Sequence, residues 1–206
     1  MAEKKLRIFL GDITHDTIIL VSDTIPINIG FIASYIIKTY GDKVDITLFK
    51  YPDDIINEIK SNPPDVIGLS NYSWNSNLSE FLASLAKKCN PNVVTLQGGT
   101  NFPHDDETQK TFLLERPATD IFTILEGEKS CTNIIGRILE SNKDRKKIFE
   151  KEIDGCVFIH PDTKNSNKPV FLKGQIVSRI KDLDEIPSPY LNGMLDKFFD
   201  AKLTPF

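Results

Sequence analysis

The first 140 residues alternate between short apolar runs and longer segments in which apolar positions recur with a helical spacing. The runs at 6–10 and 66–69 show little polar alternation, which is typical of strands covered on both faces. Within 78–85, apolar side chains recur at the i, i+3, i+4 and i+7 positions of one helix face. The pattern predicts strands at 6–10, 44–49, 66–69, 92–96 and 120–125, alternating with helices at 29–40, 53–60, 78–85, 107–115 and 126–140.

This alternation predicts an α/β fold, a doubly wound and mostly parallel five-stranded sheet of flavodoxin-like or Rossmann-like type with right-handed crossovers. The segments 156–160 and 169–172 predict a C-terminal β-hairpin, either on the sheet edge or as a small flap. A short helix is predicted at 191–200. The connection after the first strand is long, and a short strand at 17–21 is an alternative interpretation of part of it.

The same pattern divides the chain into three parts. The sheet occupies 1–140, and the hairpin at 141–185 extends that domain. The segment 186–206 is interpreted as a linker and helix leading to a further domain, because the two prolines of IPSPY exclude a helix there.

Small and polar residues end the two central strands. Ser70 ends the third strand, and Gly98-Gly99 ends the fourth. The carboxyl ends of the strands are where an open parallel sheet holds its ligand. The sequence therefore predicts a ligand site at this edge of the sheet.

Composition excludes several partners. The net charge of -4 argues against nucleic acid, which requires a clustered basic face, and the basic run at 143–147 is interpreted as a solvated helix end or loop. No apolar run reaches the roughly 18 residues that a membrane span requires. Three cysteines, far apart and without a C-x-x-C pair, predict free thiols in a cytoplasmic protein.

Common phosphate- and nucleotide-binding motifs are absent. The first strand is followed by neither G-x-G-x-x-G nor G-x-x-x-x-G-K-[ST]. A phosphorylated receiver domain would need an aspartate after the third strand, where Ser70-Asn71 stands, although Asp12 is available after the first.

One ordered set of spacings does match a known pattern. Residues 31–69, 39 in number, separate Gly30 from Ser70, and the 25 residues 73–97 separate Ser70-Asn71-Tyr72 from Gly98-Gly99. This order resembles that of flavodoxin-like cobalamin-binding modules, D-x-H-x-x-G, then S-x-L, then G-G. Ile25 stands in place of the aspartate and Ile27 in place of the histidine that ligates cobalt.

The chain is therefore identified by resemblance as the N-terminal cobalamin-binding domain of the cobalamin-dependent radical SAM enzymes, which typically lack that histidine. The resemblance rests on PINIGFIASYI, DVIGLSNYSWN, GGTNFP and LEGE, and IPSPYLNGMLDKFF resembles the segment that leads into the radical SAM barrel. Leu125 departs from the glycine often found at its position.

The resemblance implies a module that binds cobalamin base-off, without a lower histidine, and presents it to a radical SAM domain of the same polypeptide for radical methyl transfer. S-adenosylmethionine and the [4Fe–4S] cluster would belong to that C-terminal domain, since Cys89, Cys131 and Cys156 do not form C-x-x-x-C-x-x-C. That motif is expected after Phe206, so the chain alone is expected to be non-catalytic. The alternative is a flavodoxin-like regulatory or interaction domain that binds a nucleotide or a protein partner.

The resemblance also implies roles for individual residues, each with an alternative. Gly98-Gly99 would let the backbone approach the nucleotide tail, or would form a tight turn. Ser70 would hydrogen-bond the buried dimethylbenzimidazole tail, or would cap the next helix. Trp74 would cover the corrin or pack against the missing domain. The predicted cofactor-binding residues are Ile27, Asn28, Ile29, Gly30, Ser70, Tyr72, Ser73, Trp74, Gly98, Gly99, Thr100, Asn101, Glu126 and Gly127.

Cobalt is expected to have no protein ligand. Ile27 would lie near its lower face without ligating it, and Asn28 would contact the corrin or a lower-face water. His15, His104 and His160 are not assigned as ligands. His15 has the wrong spacing to Ser70, His104 is interpreted as a surface residue of a polar loop, and His160 belongs to the predicted hairpin. The carboxylates of Glu126 and Glu128 suit a helix start and are interpreted as optional for binding.

Overall fold

A computed structural model describes residues 5–14 and 24–199. Seven strands form one sheet in the order β2-β1-β3-β4-β5-β6-β7. The strands are β1 Leu6–Gly11, β2 Val44–Phe49, β3 Val66–Ser70, β4 Val94–Gly98, β5 Ile121–Thr123, β6 Cys156–Ile159 and β7 Phe171–Lys173. The helices are α1 Ile27–Tyr40, α2 Pro52–Ser61, α3 Ser76–Cys89, α4 Asp106–Leu114, α5 Gly127–Glu140 and α6 Arg145–Ile148.

The five strands of the amino-terminal part pair in parallel, and the last two are antiparallel. The order 2-1-3-4-5 is the flavodoxin-like one, so the predicted fold class is confirmed. The two last strands form the predicted hairpin, which extends the sheet edge beyond β5. The proposed short strand at 17–21 lies outside the described residues.

Helices cover both faces of the sheet. On one face, α1 and α5 bury aliphatic side chains such as Ile36 and Ile134 against β1, β3 and β4. On the other, α2 and α3 pack against Phe9 and Ile67, and α4 packs Phe112 against β5 and β6. Burial on both faces explains why the parallel strands lack polar alternation.

The C-terminal segment differs from the predicted helix at 191–200. Turns at 191–195 and a single 3-10 turn at Asp196–Phe198 replace it. Leu195 is fully buried in the core beside α1, and the Asn192 amide donates to the Ser34 hydroxyl at 3.0 Å. Because the segment follows the surface of α1 to place Leu195, it does not continue as a regular helix.

The basic run at 143–147 is largely exposed, as predicted, but two of its side chains also make specific contacts. Lys143 pairs with Asp65 at 2.9 Å, and the Arg145 guanidinium donates to the Val93 carbonyl oxygen at 2.7 Å. Arg145 opens the unpredicted helix α6 and also contacts Asp120 at 3.1 Å. These side chains join the loop after α5 to the amino-terminal edge of the sheet.

Candidate functional site

A cleft of about 750 Å³ lies at the carboxyl ends of β1, β3, β4 and β5. The start of α1 and the turn from β5 into α5 form its other walls. Strand order reverses at β1 and β3, and this reversal places the cleft at the topological switch point of the sheet. The site predicted from Ser70 and Gly98 therefore exists as a cavity.

The inner part of the cleft is an apolar slot between the sheet and helices α1 and α5. Leu10, Gly68 and Leu96 line it from the strands, while Ile32 and Cys131 line it from the two helices. Burial raises the pKa of the Cys131 thiol to about 12, with a smaller contribution from Glu128, so this thiol stays neutral. The slot offers an apolar surface of the kind that a flat heterocycle requires.

The two glycines at the end of β4 are required by different features of the structure. Gly99 has a φ of 140°, and a Cβ there would lie 2.5 Å from the Asn71 carbonyl oxygen. This conformation requires glycine, in agreement with the tight-turn interpretation. At Gly98 a Cβ would meet the Thr123 hydroxyl, and both residues line the cleft. Gly98 thus keeps the slot open at the end of β4.

Ser70 belongs to a polar network at the end of β3. Its hydroxyl donates to the Asp12 carboxylate at 2.6 Å and accepts from the Asn75 amide at 3.0 Å. The hydroxyl does not cap α3, so that alternative for Ser70 is wrong. Asn75 also holds the Tyr72 backbone N–H at 2.8 Å and thereby fixes the loop after the strand.

An aromatic pair extends this network towards the surface. Tyr72 stacks on Trp74 with ring centroids 4.6 Å apart and planes 9° from parallel, and its hydroxyl accepts from the Asn28 amide at 3.3 Å. Partial burial raises the pKa of Tyr72, and the nearby Asp12 carboxylate raises it further. Tyr72 lines the cleft, whereas Trp74 is 61% exposed beside it.

A cluster of amides lies beneath the glycine turn. The Asn71 side chain is fully buried; it donates to the Gln97 side-chain oxygen Oε1 and accepts from the Asn101 side-chain amide at 3.0 Å. Among the residues that the structure describes, the buried Gln97 Nε2 atom has no hydrogen-bond partner, although its residue lines the cleft. A buried donor without a partner is unfavourable unless a ligand satisfies it.

The turn between β5 and α5 forms one side of the cleft mouth. Leu125 has a φ of 61° and is 67% exposed. The Glu126 carboxylate accepts from the Ile180 backbone N–H at 3.1 Å and pairs with Arg179 at 3.4 Å. Glu126 thus holds the C-terminal segment with its carboxylate.

The structure brings nine of the fourteen predicted residues to the cleft. These nine are Asn28, Ile29, Ser70, Tyr72, Gly98, Gly99, Thr100, Glu126 and Gly127.

The other five predicted residues lie outside the cleft lining. Ile27 is half-buried at the start of α1, and Ser73 and Trp74 are exposed. Gly30 packs beneath the C-terminal segment, where a Cβ would lie 3.0 Å from Pro189. The Asn101 side-chain amide donates a hydrogen bond to the Asn71 side-chain oxygen at 3.0 Å.

Several lining residues were not predicted from the sequence. The sequence indicates Asp12 only as the acidic residue of a receiver domain, and Gln97 falls just beyond the strand predicted at 92–96. Phe102 and Pro103 belong to the GGTNFP segment that carries the family resemblance, whereas Gln109, Lys173 and Ile176 have no signal in the sequence. The unpredicted lining residues include Asp12, Gln97, Phe102, Pro103, Gln109, Thr123, Lys173 and Ile176.

Histidines do not form a metal site in the part of the chain that the structure describes. His104 is exposed at the cleft mouth, and His160 lies outside the cleft lining. His15 falls outside the described ranges. Within those ranges, no group of three or more histidine, cysteine or acidic residues could hold a metal ion.

A switch-point cleft with an apolar slot and a polar mouth defines a cofactor-binding domain of the flavodoxin-like class. The chain belongs to the B12 binding domain family, whose model matches residues 17–135. The prediction of a cobalamin-binding domain is confirmed. Among the described residues, no helix is long and apolar enough to cross a membrane.

Curated relatives with similar sequences are methyltransferases. The chain is 28% identical over 133 residues to the cobalamin-dependent radical SAM methyltransferase TokK of Streptomyces tokunonensis, a match covering 65% of this chain and 17% of TokK. It is 26% identical over 211 residues to the cytidylyl-2-hydroxyethylphosphonate methyltransferase of Streptomyces wedmorensis, covering 87% of this chain and 38% of that enzyme. The chain thus spans well under half the length of either relative.

A solved structure has the same fold. The cobalamin-dependent S-adenosylmethionine radical enzyme OxsB, with aqua-cobalamin and S-adenosylmethionine bound, superposes with a TM-score of 0.60 at 17% identity. The match covers 95% of this chain and 26% of the OxsB chain. At this identity the likeness concerns the fold alone.

Proposed function

We propose that this domain binds cobalamin base-off in the switch-point cleft and presents it to a radical SAM domain of the same polypeptide for methyl transfer. The observation that carries the proposal is the apolar slot beneath Gly98, in a chain of the B12 binding domain family. Base-off binding releases the dimethylbenzimidazole tail from cobalt, so the tail needs a pocket of its own. The slot is that pocket.

The residues present fit the cofactor. A cleft of about 750 Å³ is within the size range of small-molecule sites, and aliphatic walls suit the flat tail. Gly98 leaves room beside the Thr123 hydroxyl, which supplies a polar group at the cleft wall.

The polar mouth would hold the corrin. Asn28 and Thr123 offer hydrogen bonds to its amide side chains, and Tyr72, with the Trp74 ring stacked behind it, would cover one of its faces. When bound, the cobalt corrin supplies the site that carries a methyl group. The residues of this chain would orient the corrin and exclude water from the dimethylbenzimidazole tail.

The partner follows from the relatives. TokK is a radical SAM methyltransferase of which this chain matches only 17%. We infer that S-adenosylmethionine and the [4Fe–4S] cluster belong to a separate domain of the same polypeptide.

The three cysteines Cys89, Cys131 and Cys156 are free. We extend the proposal to a cytoplasmic location, where thiols stay reduced.

Titration with hydroxocobalamin tests the proposal directly. We expect a one-to-one complex whose absorption spectrum is that of base-off cobalamin, because the slot separates the tail from cobalt. Folding of the titrated protein is checked by circular dichroism. A folded protein that binds no cofactor at micromolar concentration would overturn the proposal.

The state of the lower ligand has its own test. After reduction to the Co(II) form, the electron paramagnetic resonance spectrum should show no nitrogen superhyperfine splitting. The spectrum of His104→Ala should be identical to that of the parent protein, because His104 lies at the exposed mouth. Nitrogen splitting that disappears in this variant would identify His104 as a ligand and refute the absence of histidine ligation.

A further inference from the structure

Leu125 combines two unfavourable features at one position. Its φ of 61° lies in the left-handed region, which residues other than glycine rarely adopt. Its side chain is also 67% exposed, although leucine is an apolar residue. The other described non-glycine residues with positive φ, Asn142 and Lys143, are polar and lie after α5.

The place of Leu125 in the molecule suggests a reason. It lines the mouth of the cleft, in the turn that leads from β5 into α5. Ile176, also 67% exposed, lines the same cleft from the segment after β7. Two large apolar side chains are therefore exposed to water at the entrance to a cofactor site.

Strain at a site is maintained only when something compensates for it. Within the described residues, no packing of the Leu125 side chain provides that compensation, since two thirds of the side chain is exposed. A ligand in the cleft would remove this apolar surface from water, and the gain grows with the area buried.

We propose that Leu125 is a retention residue: its side chain packs on the bound corrin at the cleft mouth and slows release of the cofactor. The inference rests on the proposed cobalamin site. The leucine side chain slows release of the cofactor from the complex, whereas the positive φ of Leu125 lowers the stability of the cofactor-free domain. The two effects have opposite signs and can be separated.

Three variants separate them. Leu125→Gly removes both the strain and the side chain, whereas Leu125→Ala removes most of the side chain and keeps the strain. Asn142→Gly is the matched control, because it relieves a φ of 55° outside the cleft lining. The measurements are the melting temperature without cofactor and the release rate of radiocobalt-labelled hydroxocobalamin chased with unlabelled cofactor.

We expect Leu125→Gly to raise the melting temperature of the cofactor-free domain by about 2–4 °C and to accelerate release about tenfold. Leu125→Ala should accelerate release similarly without raising the melting temperature. Asn142→Gly should leave release unchanged.

Release within twofold of the parent rate in both Leu125 variants would overturn the inference, while a parent protein that binds no cobalamin would overturn the proposed function instead. The two failures are thus distinguishable.

Discussion

Replacing Gly98 with valine should weaken cobalamin binding about 10- to 100-fold, because overpacking of a closed site costs about 1–3 kcal/mol. Gly98 ends β4 at the slot, and a Cβ there already meets the Thr123 hydroxyl. The branched valine side chain would occupy the space proposed for the nucleotide tail. Titration of the purified variant with hydroxocobalamin measures the loss.

Thr95→Val is the matched control for this substitution. Thr95 lies on the same strand, and its side chain points to the opposite face of the sheet because it is three residues before Gly98. The change removes its buried hydrogen bond to the Ala118 carbonyl oxygen and lowers stability, yet it should leave cobalamin affinity unchanged. Unaltered binding by a folded Gly98→Val variant would show that the tail lies elsewhere.

Replacing Asp120 with asparagine should lower the free energy of unfolding by about 3 kcal/mol. The Asp120 carboxylate is 9% exposed and pairs with Lys87 at 2.7 Å and Arg145 at 3.1 Å. It also accepts from the Thr95 backbone N–H at 3.0 Å. Removing its charge leaves two largely buried cations without their counter-ion. Equilibrium unfolding in urea measures the change.

The same group contributes to acid sensitivity. Burial alone would raise the pKa of Asp120, but Lys87 and Arg145 outweigh it and lower the pKa below its ordinary value of 3.8. Its contribution to stability is therefore fully present above the pKa of the unfolded chain, about 4, and is lost as pH falls through the lower folded value. The free energy of unfolding, measured between about pH 2 and 6, should therefore fall less steeply with decreasing pH in Asp120→Asn than in the parent protein.

Asp42 provides the control. It pairs with Lys5 at 3.2 Å, but its side chain is fully exposed, so Asp42→Asn should leave the free energy of unfolding nearly unchanged. Asp120 precedes β5, at the edge of the sheet opposite to the cleft. Folded Asp120→Asn should accordingly bind cobalamin as the parent does. Equal unfolding free energies of the Asp120 and Asp42 variants would refute the buried-cluster argument.

Local sequence determined the parallel sheet and the position of the site. Apolar runs and helical spacing are properties of adjacent residues, so β2, β3 and α5 could be predicted closely. Ser70 and Gly98 could be placed at the site because parallel strands bring their carboxyl ends to one edge. The spacing between them then indicated the family.

Contacts between distant residues decided the rest. Gly30 had the spacing of a cofactor residue, yet Pro189 and Leu195, more than 150 positions away, pack against it. Asp12 entered the cleft because β1 lies beside β3.

Backbone conformation was likewise decided by the tertiary structure. The sequence identified Leu125 only as an unusual residue, whereas the fold holds it at a φ of 61°. Sequence spacing encodes which residues reach the end of a strand. The orientation of a side chain there depends on neighbours that only the folded chain brings together.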